Sequence, residues 1–328
     1  MTKRRWVGKL RILLAVGALL VAGCGDGTSG DDELDRIEYQ MAWTPTVLWG
    51  HLVYGIDQGI FERHGIELEL IPGTGTSMVM AQLNEDRVQF ASADLIGYLA
   101  DRATTGSPTT AAMVLVDGPI FKILTTIPAD SLDDLVGYDV AHSPFDLFRH
   151  VLPIVLESQG LARDAVGLQP VQLSSALLIE GAVDAMMLFV GSGLAGARVE
   201  AEAAGVTLYE LDLADFGLVN YTDLVLVRNE VLEENPDLVR RLLSAIQESI
   251  EGAKAADDDL ILDLLEPHIP GMDREIERIA WQEQKAFFGL SWGFDPEVVD
   301  TVLGYVSDGL DIDHDLEAED IFTNDFLP

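Results

Sequence analysis

The chain has 328 residues, 48% hydrophobic and 23% charged, enough for one large or two ordinary domains and unlike a disordered or collagenous polymer. Its single cysteine, Cys24, excludes a disulfide framework, a cysteine-rich zinc site and an iron–sulfur cluster. A net charge of −36 excludes bulk affinity for nucleic acid, whose phosphates must be neutralised by lysine and arginine.

Residues 1–23 read as a secretory signal. Lys3, Arg4, Arg5, Lys9 and Arg11 precede an apolar run, Ile12 to Val21, that is short for a membrane span. Val21-Ala22-Gly23-Cys24 resembles a bacterial lipobox, so Cys24 is expected to carry lipid and become the mature N-terminus. Residues 24–35, rich in Gly, Ser, Thr and Asp, form a flexible tether. Losing the basic signal makes the mature chain more acidic still, which reads as adaptation to a salty habitat rather than as a mark of mechanism.

Ile37, Tyr39, Met41 and Trp43 alternate as one face of a strand, and Ile66, Leu68 and Leu70 repeat the pattern. Between them Leu48–His64 predicts a helix closed by Gly65. Further strands are expected at Val88–Ser92, Thr110–Asp117, Tyr138–Ala141, Gly167–Val171, Val183–Phe189, Val206–Leu211 and Tyr221–Val227. Helices separate most of them, at Ser77–Asp86, Asp94–Thr104, Asp146–Gln159, Ser174–Glu180 and Ser192–Ala204. This alternation predicts an α/β protein with mostly parallel sheet, helices on both faces, and a ligand at the carboxyl ends of the strands. Asn235-Pro236 starts a long helix with an apolar stripe at Leu238, Leu242, Ile246 and Ile250, and helices near Asp273–Phe288 and Asp295–Val306 follow as a C-terminal helical layer.

No G-x-S-x-G, H-E-x-x-H, Walker loop or dinucleotide fingerprint is present, and the six histidines are scattered singly. The acidic run Asp311, Asp313, Asp315, Glu317 and Glu319 lacks the glycine and closing glutamate of a calcium loop. Neither a catalytic set, a cofactor nor a metal is expected. The loops at the strand ends carry more. Trp43-Thr44-Pro45-Thr46 ends the first strand ahead of Leu48-Trp49, and Pro72-Gly73-Thr74-Gly75-Thr76-Ser77 ends the second and opens a helix whose free amides suit polar ligand atoms. Asp94, Asp117, the His142-Ser143-Pro144-Phe145 turn and Phe189 occupy the equivalent places further on.

At these loops the sequence resembles the periplasmic substrate-binding proteins of ABC importers, in the branch covering thiamine-precursor pyrimidines, sulfonates and nitrate, and within it the formyl-aminopyrimidine-binding lipoproteins. The matching stretches include WTPTVLWGHLVYGIDQGIFERHGIELELIPGTGTS, VQFASAD, DLVGYDV, IEGAVDAMMLFVGSG, YTDLVLVRNEVLEENPDLVRRLLSA, WGFDPEVVD and FTNDFLP. The resemblance implies a two-lobed, type II binding-protein fold of mixed sheets flanked by helices. One lobe is residues 36–127 plus 228–328 and the other 128–227, with crossings near Thr125–Asp130 and Val225–Asn229. It implies a ligand-binding set of Trp43, Thr46 and Trp49 on one wall, Thr74, Gly75 and Thr76 presenting amides, Asp94 and Asp117 accepting from ligand donors, and Ser143 with Phe189 closing the far side. It further implies a monomeric, lipid-anchored extracytoplasmic protein, not an enzyme, that hands a small molecule to a permease driven by an ATPase subunit. Pyrimidine-binding relatives carry asparagine where Thr46 stands, histidine at Trp49 and an aromatic residue at Val190. The histidine and cysteine cluster of the related fungal pyrimidine-precursor synthase has no counterpart.

Around the expected cleft Asp94, Asp117, Asp146 and Asp223 outnumber the fixed cation Lys122. That balance favours a flat, neutral or weakly basic heteroaromatic over an anion, which would want arginine or lysine. Riboflavin, a sulfonate or nitrate as ligand, a sensory rather than transport role, and a pyrimidine-processing enzyme are the alternatives.

Overall fold

The computed structural model of the protein describes residues 34–144 and 147–328, so the signal, Cys24, most of the tether and Asp146 lie outside the described residues. β1 (Asp35–Gln40) leads through a 3-10 turn, Val47–Trp49, into α1 (Gly50–Asp57) and α2 (Ile60–Arg63). The single helix expected over Leu48–His64 is therefore interrupted, at Gly59, whose φ of 63° is the left-handed conformation glycine adopts without steric cost. β2 (Ile66–Ile71), α3 (Thr76–Asn84), β3 (Phe90–Ala93), α4 (Leu95–Thr105) and β4 (Thr109–Asp117) complete a first series. A second series runs β5 (Phe121–Thr125), β6 (Asp139–His142), α5 (Phe148–Ser158), β7 (Gly167–Pro170), α6 (Ser175–Ile179), β8 (Ala185–Phe189), α7 (Ser192–Ala204) and β9 (Tyr209–Asp212). The chain closes with β10 (Tyr221–Arg228), α8 (Asn229–Glu234), α9 (Pro236–Ala255), α10 (Asp258–Leu265), α11 (Arg274–Gln284) and α12 (Pro296–Leu310).

Among the described residues the strands form two five-stranded sheets, ordered β2-β1-β3-β10-β4 and β7-β6-β8-β5-β9. Each has a parallel trio, β2-β1-β3 and β7-β6-β8. Beside the trio stand two strands of mixed direction: β10 is antiparallel to β3 and β4, and β5 to β8 and β9. Two mixed sheets flanked by helices are the fold class that the sequence implies. The mostly parallel sheet expected from strand-helix alternation holds only for the trios, because β5 and β10 arrive from the other sheet rather than over a covering helix.

The points of exchange differ from those expected. Phe121–Thr125 pairs within the second sheet and Tyr221–Arg228 within the first, so the chain leaves the first sheet after Asp117 and returns to it at Tyr221. The reason is local. Asp117-Gly118-Pro119 breaks the strand, ending β4 well before the polar stretch after Thr125. The two crossing segments are tied together: Gly118 N donates to Asn220 O at 3.1 Å, and Thr222 Oγ1 to Gly118 O at 2.7 Å.

Alternation along the strands sorts side chains into two buried layers. Tyr39, Phe90, Val225, Leu124 and Met186 belong to one, and Ala93, Leu224, Leu226, Ile123 and Met187 to the other. The C-terminal helices cover both. α9 and α10 pack on α1, α11 reaches α7, and α12 lies against both α4 and α5. α10, which the sequence pattern did not suggest, starts where the Asp257 carboxylate accepts from the Asp259 amide at 2.9 Å. Among the described residues no helix is long and apolar enough to cross a membrane.

Candidate functional site

A cavity of about 590 Å³ opens where the carboxyl ends of the two parallel trios face one another. Trp43 and Thr74, from the loops after β1 and β2, line one side, and Ser143, Val171, Gln172 and Leu173, from the loops after β6 and β7, line the other. This is where α/β sheets bind ligands, since their helix N-termini and loop side chains converge there.

Trp43 is 46% exposed although large and apolar. Its loop is fixed from behind: Gly73 N donates to Trp43 O at 3.1 Å and Gly75 N to Ala42 O at 2.8 Å. Gly75 has a φ of 124°, and a Cβ there would meet the Trp43 ring at 3.2 Å, so both backbone and space demand glycine. Because its amide serves Ala42, Gly75 shapes the wall, and the donors at the start of α3 belong to the residues after it. Thr46 Oγ1 accepts from Leu48 N at 3.3 Å and so caps the turn after the loop.

Thr76 and Asp94 form a pair. Asp94 caps α4, its Oδ1 accepting from Gly97 N at 2.8 Å, while Thr76 Oγ1 donates to its Oδ2. Burial raises the Asp94 carboxyl above its ordinary range, and these two hydrogen bonds oppose the rise. Asp117 is half-buried at the end of β4, and burial raises it as well. On the second side His142 Nδ1 lies 2.8 Å from Ser143 O, holding that turn, and Phe189 is half-buried at the end of β8 with its ring edge-on to Phe121, centroids 5.4 Å apart.

Of the expected residues, Trp43, Thr74 and Ser143 share the cavity wall, with Gly75, Thr76 and Asp94 directly behind Thr74. Trp49 is elsewhere. It is 3% exposed in the core, its ring centroid 6.4 Å from that of His268, because α10 and α11 cover the turn that carries it. Lys122 pairs with Glu210 at 3.5 Å and Asp212 at 3.6 Å on β9. Val171, Gln172 and Leu173 were not singled out in the sequence. Their position just past the carboxyl end of a parallel strand was the available signal.

Two buried ionisable groups of the first sheet's half stand out. His51 on α1 is fully buried against Phe288, centroids 4.8 Å apart, and burial pushes its pKa down to about 3. Asp223 on β10 is 4% exposed, and burial pushes its carboxyl up to about 8, with the charge of Asp94 adding to the rise. Among the described residues no group of three or more His, Cys, Asp or Glu is placed to hold a metal ion.

The model of the NMT1/THI5 like family matches residues 49–259. A formylaminopyrimidine-binding protein from Halalkalibacterium halodurans is 23% identical over 96% of this chain and 97% of its own length. The solved periplasmic aliphatic sulphonate binding protein from Escherichia coli superimposes with a TM-score of 0.70 at 16% identity, over 90% of this chain and 94% of that one. The solved desulfurization enzyme DSZB matches with a TM-score of 0.57 at 14% identity, over 89% of this chain and 97% of that one, so the fold also carries catalysis.

Proposed function

The chain belongs to the NMT1/THI5 like family, and from that membership and the cavity we propose that it is the solute-binding protein of an ABC import system. It captures a small, flat heteroaromatic, with an aminopyrimidine favoured, between two lobes built on the two sheets. The observation that carries this reading is Trp43. A large apolar ring held 46% exposed by the hydrogen bonds of its own loop, on the wall of a cavity, is a stacking platform for a planar solute. Thr74 and Ser143 supply polar groups from opposite sides, so a solute touching both favours the closed arrangement and shifts the open–closed equilibrium.

Lys122 engaged by two carboxylates argues against a bound anion. The solved sulphonate-binding protein that shares this fold keeps sulfonates in the test. Phe189, Asp117, Asp94 and Thr76 complete the proposed set around the cavity. The lobes are proposed to divide at the crossings beside Gly118 and Asn220. Cys24 is proposed to be lipidated after signal removal, tethering a monomer outside the cytoplasm where it meets the permease.

The test is calorimetric titration of the purified protein with formylaminopyrimidine, riboflavin, an alkanesulfonate and nitrate. Micromolar or tighter binding of the pyrimidine alone supports the reading. Tight binding of the sulfonate alone replaces it with the anion reading, and turnover of any of them would make the protein an enzyme.

A further inference from the structure

Asp223 is a buried carboxyl only partly satisfied by the fold: the Ser92 side chain and the Leu224 backbone hydrogen-bond to it and hold its pKa down against burial. It is 4% exposed, and its Oδ1 is buried with no hydrogen-bond partner among the described residues. An unsatisfied buried carboxyl oxygen is costly unless something completes it. The pairing of Leu224 with Ala93 and of Val225 with Ser92, carried one residue further, brings Asp223 opposite Asp94 at the cavity end of the first sheet. The β10–β4 register shifts on both sides of Asp223, between Tyr221 and Asp223 and again between Asp223 and Leu224. Bulges of this kind re-aim a side chain and recur beside functional sites. Asn220, in the crossing segment, also has both side-chain amide atoms buried without partners. Asp223 and Asn220 thus both carry unmet polar atoms near the place where the sheets exchange strands.

We propose that Asp223 is the specificity-determining group of the site, a carboxyl that pairs with the edge of an aminopyrimidine through two hydrogen bonds, once separation of the sheets at the nearby crossing uncovers it. This rests on the heteroaromatic-binding reading above. The acid O–H donates to the ring nitrogen and the carboxyl C=O accepts from the neighbouring amino group. If the proton moves to the ring, the same two contacts remain with the charges separated. With its pKa at about 8, Asp223 holds the required proton at neutral pH. The titratable groups facing it are Tyr39 from β1, which it pushes upward, and Asp94 from the end of β3, while Ser92, whose Oγ lies 3.0 Å from the Tyr39 hydroxyl, and the Leu224 backbone hydrogen-bond to the carboxyl and oppose the rise. From β4 it faces Val116.

The test uses full-length wild type, D223N and D223L, titrated with formylaminopyrimidine and with the analogue whose ring amino group is replaced by hydrogen, which removes one of the two hydrogen bonds. Wild type is expected to prefer the amino form by at least about tenfold, and D223N, whose amide keeps a donor beside an acceptor, to stay within about threefold of it. D223L is expected to lose at least about a hundredfold on the amino form and to lose the preference. Equal affinity of D223L and wild type for the amino form overturns the assignment and leaves the binding reading intact. Failure of wild type to bind either probe overturns both. Should D223L not fold, the pH profile decides: wild-type affinity for the amino form falls about tenfold per unit above pH 8 and that of D223N stays flat. Parallel profiles refute the role of Asp223.

Discussion

The two sheets share one plan and differ in how they treat charge. Each is a parallel trio in the order second, first, third, completed by a strand that crosses over from the other sheet. Around the second sheet the buried sides of charged groups are matched. Arg198 Nη2 donates to Glu210 at 2.7 Å and also holds Glu283, Lys122 joins the same carboxylate, and Gln169 donates to Asp139 at 2.8 Å. Around the first sheet His51 and Asp223 are buried with polar atoms unmet. Satisfied networks rigidify, whereas unsatisfied ones mark places kept for something else. On the proposed reading, the first sheet contributes the specificity-determining carboxyl and the second the opposing wall.

The largest expected effect follows from that contrast and has two opposed signs. His51 has its folded-state pKa depressed, so its contribution is full above about pH 6.5 and is lost as pH falls toward 3. Asp223 has its pKa raised, so its contribution is full below the ordinary aspartate value and is lost as pH rises to about 8. Each is on the order of 5 kcal/mol at its limit. They offset between about pH 4 and 6.5, so unliganded stability should fall on both sides of that window. Chemical denaturation across pH checks it: H51L should flatten the acid limb and D223N the limb from pH 6.5 to 8. If both limbs persist in the variants, the burial cost lies in other groups.

Next in size is the contrast between two tryptophans six residues apart. Trp49→Ala removes a buried ring against α10 and α11 and should cost about 3–5 kcal/mol of stability. Solute affinity should change little once the variant is folded. Trp43→Ala should leave stability within about 0.5 kcal/mol and weaken solute binding by about ten- to a hundredfold, because it removes a stacking face and no core packing. Thermal unfolding and calorimetry on the same two variants give the answer. A Trp49 variant that is stable and does not bind would reverse the assignment.

The sequence alone carries the parallel trios, because Tyr39, Leu68 and their neighbours alternate cleanly and each is followed by an amphipathic helix. It also carries the loops at their ends, which is why Trp43, Thr74 and Ser143 are found together. It did not reveal β5, whose Phe-Lys-Ile-Leu-Thr is too short to separate from its surroundings, or the sheet to which β5 and β10 belong. That assignment is set by long-range pairing. Trp49 looked like Trp43 because a one-residue pattern cannot register a helix arriving more than two hundred residues later. Asp223 could be counted as a charge near the cleft. Its unpartnered Oδ1 lies beside the register shifts of β10, which no local pattern encodes.

The smallest expected effect bears on the crossing itself. Thr222 Oγ1 donates to Gly118 O at 2.7 Å and so joins the outgoing strand to the returning one. Thr222→Val keeps the shape and removes that bond, for an expected loss of about 1 kcal/mol in urea denaturation. If the crossings are the hinge, the same change also loosens the coupling between the two halves of the cavity. Solute affinity should then shift by about twofold or more although Thr222 is absent from the cavity wall. A stability loss with no change in affinity would make the bond an ordinary one, and the motion between the sheets would have to turn about some other part of the chain.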